Sequence, residues 1–133
     1  MRTIDCNRVV ITKNVNPEAT IQRQLDAYNT HDIDALMASY AEDAQQFEHP
    51  SKLLANGSAQ IRERFVAGFK VPNLHARLLK RIVAGNFVID HEQVTRMFPE
   101  GTGKIELVAM YEVQHEKIAK AWFITGAKTF DAK

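Results

Sequence analysis

KIELVAMYEVQHEKIAKAWF, residues 104–123, is the stretch that decides the fold. Leu107, Ala109, Tyr111 and Val113 alternate with Val108, Met110 and Glu112, the period of two that sends successive side chains to opposite faces of a strand. His115-Glu116 interrupts the run, and a second strand-like run follows from Lys117 to Ala127. Two alternating runs separated by two residues read as an antiparallel hairpin. Tyr111 takes the concave side on this register, together with Phe123. Val108, Met110 and Trp122 face outward as a candidate homodimer surface.

The same pattern extends backwards. Leu74 to Ala84 and Phe87 to Phe98 are strand-like and meet at Gly85-Asn86, a two-residue hairpin turn. Along the second of these, Phe87, Ile89, His91, Gln93 and Thr95 share one face, and Val88, Asp90, Glu92, Val94 and Arg96 share the other. Pro99 to Gly103 turns the chain into the opening stretch.

Earlier still the period changes. Asn16-Pro17-Glu18 combines a capping side chain, a proline suited to the first turn and a carboxylate for the positive helix end. Ile21, Leu25 and Tyr28 then fall on one helical face. Asp32 caps a shorter helix whose buried side holds Ile33, Leu36, Met37 and Tyr40. Ala44 to His49 reads as a short strand, Asn56-Gly57-Ser58 as a turn, and Ala59 to Phe69, capped by Ser58, as a third helix with Ile61, Phe65 and Phe69 on one face. Three leading helices and a following run of antiparallel strands make the class α+β. The core spans residues 16–128 of a single domain, preceded by a leader, Met1 to Val15, whose one apolar patch is Val9-Val10-Ile11.

The composition narrows the partners. The 133 residues carry a formal net charge of +1 with no basic stripe, which points away from nucleic acid and anionic membranes. No apolar run is long enough for a membrane span or a secretory signal, and the single Cys6 has no internal disulfide partner, so the cytoplasm is the expected compartment. The five histidines are scattered, and neither a metal-ligand spacing nor a phosphate-cradling glycine loop occurs, so no metal or cofactor is expected.

The strings YNTHDIDALMASYAEDA, EHP, NGSAQIRERF, GKIELVAMYEV and HEKIAKAWF, in this order, resemble the nuclear transport factor 2-like superfamily, especially its ketosteroid-isomerase-like and SnoaL-like branch. The resemblance covers about Pro17 to Ala127. It implies a cone-shaped curved antiparallel sheet wrapped around three helices, an apolar pocket at the open end, and dimers through the outer sheet face. In the isomerases the residue before the proline is the aspartate that moves the proton. The string EHP has His49 there. The positions of the isomerases' oxyanion donors, a tyrosine and a protonated aspartic acid, fall at Gln24 and Ala109. Ala109 has no donor to offer, so the resemblance does not extend to steroid isomerisation.

The residues themselves suggest a different set. An imidazole near neutrality serves as base or acid. If the face of His91 and the face of Tyr111 both line the cone, His49, His91 and Tyr111 converge as base, acid and hydroxyl donor. The plainer alternatives are a strand-end histidine that bonds structurally and a tyrosine that packs. A register slip of one residue would exchange His91 for Asp90 in the pocket. Gln24, Tyr28, Tyr40, Phe47, Phe65, Phe69, Gln93, Ala109 and Phe123 are the expected ligand-facing residues. Three functions fit: cofactor-independent acid–base chemistry (isomerisation, dehydration or cyclisation) on a small apolar carbonyl compound, binding of a hydrophobic molecule without reaction, or a dimeric interaction domain.

Overall fold

Asn16 opens the first helix as the sequence requires: its side chain accepts from the Ala19 N–H at 3.3 Å, and Pro17 occupies the first turn of α1, Pro17–Asn29. The structure, a computed structural model, describes residues 16–130. The expected leader, Met1 to Val15, therefore lies outside the described residues. Asp32 caps α2, Ile33–Ala38, accepting from the Ala35 N–H at 3.1 Å. Between the two helices His31 turns back with φ 56°. Its Nε2 lies 2.8 Å from the Leu74 carbonyl and its ring stacks on Phe69 at 4.9 Å, which ties the α1–α2 turn to the segment after the third helix.

Tyr40 does not end α2, as the helical spacing suggested. It begins β1, Tyr40–Glu48, and its ring is buried against the core. After a turn containing the cis His49–Pro50 bond comes β2, Lys52–Asn56, a strand that the sequence reading missed. Five residues between two turns carry too short an alternation to stand out. The third helix, α3, is Ser58–Gly68. Its N-cap is Gly57 at φ +92°, and Ser58 is the first helical residue rather than the cap. β3, His75–Ala84, and β4, Phe87–Phe98, meet at Gly85, whose φ of +60° suits the two-residue turn. β5, Gly101–Gln114, and β6, Lys117–Phe130, run beyond their expected ends. His115 and Glu116 between them both take positive φ, and the Glu116 carbonyl accepts from Thr20 Oγ1 at 3.2 Å. That bond pins the hairpin to α1.

The six strands form one curved, open sheet in the order β2-β1-β6-β5-β4-β3. Neighbours are antiparallel except β1 and β6, which run parallel with Phe47 opposite Trp122. The helices fill the concave side. Ile21, Leu36, Tyr40, Ile61, Val88, Val113 and Ile118 form the larger core cluster. Leu25, Ala76, Val94, Ile105 and Leu107 form a second, and Tyr28 and Phe123 pack against both. Burial of such side chains contributes about 1.5–3 kcal/mol each, so this interior fixes which strand faces look inward. Among the described residues, no helix is long and apolar enough to cross a membrane.

Candidate functional site

Between the helices and the concave face of the sheet lies a cavity of about 480 Å³. That is within the usual range for small-molecule sites, about 300–1,000 Å³. Each element supplies its inward positions. On α1, Tyr28 stands one helical turn from both Gln24 and Leu25, and the three reach the cavity together. On α3, Arg64 and Phe65 follow the buried Ile61 at i+3 and i+4. On β4, Glu92, Val94 and Arg96 come from one strand face. Leu107 and Tyr111 on β5 and Phe123 on β6 complete the wall, and Glu48 and Met97 stand at the edge.

Two charged groups of this wall, Glu92 and Arg96, lack an ion-pair partner among the described residues. Glu92 is 4% exposed, and among the described residues no hydrogen bond reaches its carboxyl. Burial, then the charge of nearby Asp90, push it up from 4.5 to about 7, with Arg81 opposing. Tyr28 is pushed up to about 12 by burial, and Tyr111 is raised well beyond its ordinary value by burial and the Glu92 charge. Both therefore remain hydroxyl donors at every physiological pH. Arg64 Nη1 donates to Gln46 Oε1 in a short contact, and Gln46 Nε2 donates to the Tyr40 hydroxyl at 3.3 Å. Arg96 Nε is buried without a hydrogen-bond partner among the described residues.

The inward face of β4 corrects the expected register. His91 and Gln93 point outward, and Asp90 and Glu92 point in, both almost fully buried. His91 Nε2 sits 2.6 Å from Glu106 Oε2 on the outer face, and Gln93 lies opposite Glu106 there. Both strand faces carry apolar residues, so hydrophobicity did not discriminate between them. The inner choice is favourable because Arg81, opposite Asp90 in the β3–β4 hairpin, bonds it at 2.7 and 2.9 Å and compensates the buried charge. Asp90 itself is held under α1 by this pair and is not in the cavity wall.

His49 and Phe47 are corrected for a related reason. Ala44 and Gln46 are the buried positions of β1, so the odd-numbered Phe47 and His49 face outward. Phe47 stacks on Trp122 at 5.9 Å. His49 is exposed and borders a shallow outer hollow with Phe87, Ile89 and Met110. The proposed convergence of His49, His91 and Tyr111 therefore does not occur: only Tyr111 reaches the cavity. Gln24, Tyr28, Phe65 and Phe123 line it as expected. Tyr40 lies behind Gln46, Phe69 lies behind Tyr28 and Phe65, and Ala109 is fully buried outside the lining.

Sequence reasoning missed Gln46, Arg64, Glu92 and Arg96 as pocket groups. Signals for three of them existed. Arg64 falls at i+3 from Ile61 on the apolar helix face, and Glu92 and Arg96 flank Val94 at period two. Glu92 and Arg96 fall on the strand face expected to lie outside, and Arg64 carried no expectation. Among the described residues, no three His, Cys, Asp or Glu side chains are grouped to hold a metal ion.

Comparison with known proteins agrees with the architecture. Residues 21–121 match the family model of the SnoaL-like domain. An uncharacterised cystatin-fold protein from Novosphingobium aromaticivorans superposes with a TM-score of 0.77 at 24% identity, covering 84% of this chain and 99% of that one. A candidate SnoaL-like polyketide cyclase from Shewanella putrefaciens superposes at 0.72 with 14% identity, covering 85% and 91%. A protein of ketosteroid isomerase-like fold from Catenulispora acidiphila, in complex with trimethylamine, reaches 0.68 at 16% identity, covering 78% and 82%. At these identities the structural likeness speaks for the fold alone. No curated protein matches the chain.

Proposed function

The chain belongs to the family of SnoaL-like domains, and on that premise we propose that its cavity takes a small organic carbonyl compound on which Glu92 acts as the acid–base group. The observation that carries this reading is Glu92 itself. It is a carboxyl without a partner among the described residues, buried in a cavity wall and raised to about 7. A base is most effective when it titrates near the working pH.

The step is a proton transfer. The Glu92 carboxylate accepts a proton from the carbon next to the substrate carbonyl, and the C–H electron pair moves to give an enolate. The enolate oxygen accepts hydrogen bonds from donors of the wall, Tyr111 and Tyr28. Each well-placed donor is worth about 10²–10³ in rate. The protonated Glu92 then returns its proton to another carbon, which isomerises the substrate. Alternatively the enolate carbon adds to a second carbonyl of the same molecule and Glu92 protonates the new alkoxide, which cyclises it. No electrons are gained or lost, so no redox partner enters.

The test is deuterium uptake at the α-carbon of a panel of small ketones and β-ketoesters in D2O, followed by NMR. Wild-type protein accelerates uptake into at least one member, and Glu92→Gln does not. Uptake at the wild-type rate in Glu92→Gln would remove the assignment. Saturable binding without any uptake would favour the non-catalytic reading, in which the cavity only holds a hydrophobic molecule.

The outer sheet face supports a second element of the proposal, a homodimer. Val108, Met110 and Trp122 share that face, and Phe87 and Ile124 on it are each 39% exposed. An apolar sheet face of this kind is stabilised by pairing with a second copy. Sedimentation at micromolar concentration distinguishes a dimer from a monomer of 15.1 kDa.

A further inference from the structure

Two guanidinium groups enter the cavity from different elements, Arg64 from α3 and Arg96 from β4. Their surroundings differ sharply from those of the buried Arg81. Arg81 is bonded twice to Asp90, donates to Gln22 Oε1 at 2.8 Å, and lies 3.7 Å from Glu18. Neither Arg64 nor Arg96 has a carboxylate within ion-pair distance among the described residues. Arg64 is exposed along its helix, yet it turns one N–H inward to the neutral Gln46 amide. Arg96 leaves its buried Nε unbonded.

The acidic groups of the wall do not supply the missing charge. Glu48 stands at the mouth with a half-exposed carboxylate, 3.7 Å from Lys52. Glu92 belongs to the same strand face as Arg96 but lies four residues away, about 13 Å of strand. The two arginines act on each other as like charges, which, after burial, lowers Arg64. An uncompensated cation next to an apolar cavity is costly unless something neutralises it. Planar guanidinium forks match a carboxylate best.

We propose that the cavity takes an apolar organic acid, its carboxylate held between Arg64 and Arg96 and its hydrocarbon body laid on Leu25, Leu54, Phe65, Leu107 and Phe123. This deepens the proposed function and rests on it only in using the same cavity. It narrows the substrate from any carbonyl compound to one bearing an anionic group some distance from the carbon that exchanges its proton. The separation of Arg96 from Glu92 sets that distance, so an elongated acid fits better than a compact one.

A matched pair of probes tests the assignment: 2-naphthoate and its neutral isostere 2-naphthamide, titrated by calorimetry. The expected result is a preference for naphthoate of about tenfold or more. The preference falls to near unity in the Arg64→Met/Arg96→Met double variant, while naphthamide affinity changes by less than about threefold. Equal binding of the two probes to wild-type protein overturns the proposal, and this comparison needs no variant to fold. Deuterium exchange by the wild-type protein separates the two readings. If naphthoate preference persists where no substrate exchanges deuterium, the proton transfer fails and the organic acid stands. If neutral ketones exchange and naphthoate shows no preference, the organic acid alone fails.

Discussion

Asp90 and Glu92 stand two residues apart on the inner face of β4, and only Asp90 is matched by an arginine. Asp90 is fully buried and grips Arg81 at 2.7 and 2.9 Å. Glu92 is nearly as buried and faces the cavity, with no such partner among the described residues. One carboxylate is structural, held in its bidentate pair with Arg81. The other is raised by burial and by its neighbour's charge, and is left free to exchange a proton.

Stability should record this difference. Glu92 moves from an ordinary 4.5 to about 7 on folding. Between those values the native state binds more protons than the unfolded chain, so stability falls as pH rises through this window. The full effect is on the order of 3 kcal/mol. Glu92→Gln keeps a neutral side chain of similar shape and loses that dependence. Urea denaturation should show the variant more stable than wild type at about pH 8, with the two converging towards about pH 4. Parallel stability curves would contradict a raised Glu92.

The Asp90–Arg81 pair is expected to behave in the opposite way. Asp90→Asn leaves the Arg81 guanidinium, 8% exposed, without its buried anion. Removing one partner of a buried pair costs about 3–5 kcal/mol, visible as a lower urea midpoint at neutral pH. The same change removes the charge that raises Glu92 and frees Arg81, which lowers it. The Glu92 midpoint, followed by NMR of a labelled carboxyl, should therefore move down. An unmoved midpoint would mean that burial alone sets it.

His49 and His91 should be dispensable for events in the cavity. His49 borders the outer hollow, and His91 is engaged with Glu106 on the outer face. His49→Ala and His91→Ala are expected to leave ligand affinity and deuterium uptake unchanged. The His91–Glu106 contact, with side chains 39% and 53% exposed, is a surface pair worth about 0–1 kcal/mol. Loss of uptake in either variant would restore a histidine to the chemistry.

Trp122 should matter to association. It stacks on Phe47 and borders the outer hollow with Met110. Trp122→Ala is expected to raise the dimer dissociation constant by about 2 kcal/mol or more, the level of an interface hot spot, with cavity binding retained. Sedimentation velocity over a concentration series reads this directly. An unchanged distribution would place any dimer contact elsewhere.

The elements were legible because each is a local property. The Asn16-Pro17-Glu18 start, the Asp32 cap and the Gly85-Asn86 turn are decided within a few residues, and the structure shows the two caps and the turn. The alternation from Leu107 to Val113 fixed the inner face of β5 because its inward positions are all apolar and its flanks mixed. The strand before it was not so decided. Phe87 and Ile89 on one face compete with Val88 and Val94 on the other, so period two was visible and its phase was not.

Backbone propensity, capping and periodicity act over short distances along the chain, so the three helices, five of the six strands and the family resemblance were readable, whereas the short β2 and the strand start at Tyr40 were not. Only the tertiary structure decided which polar groups enter the cavity. Arg81 had to meet Asp90 across β3 and β4, and Trp122 had to receive Phe47 across a parallel pair, before Glu92 could be turned inward and His49 outward. The free energy of a buried charge depends on what stands beside it in space; Asp90 finds Arg81 across its own hairpin, whereas Phe47 and Trp122 meet from far apart in the chain.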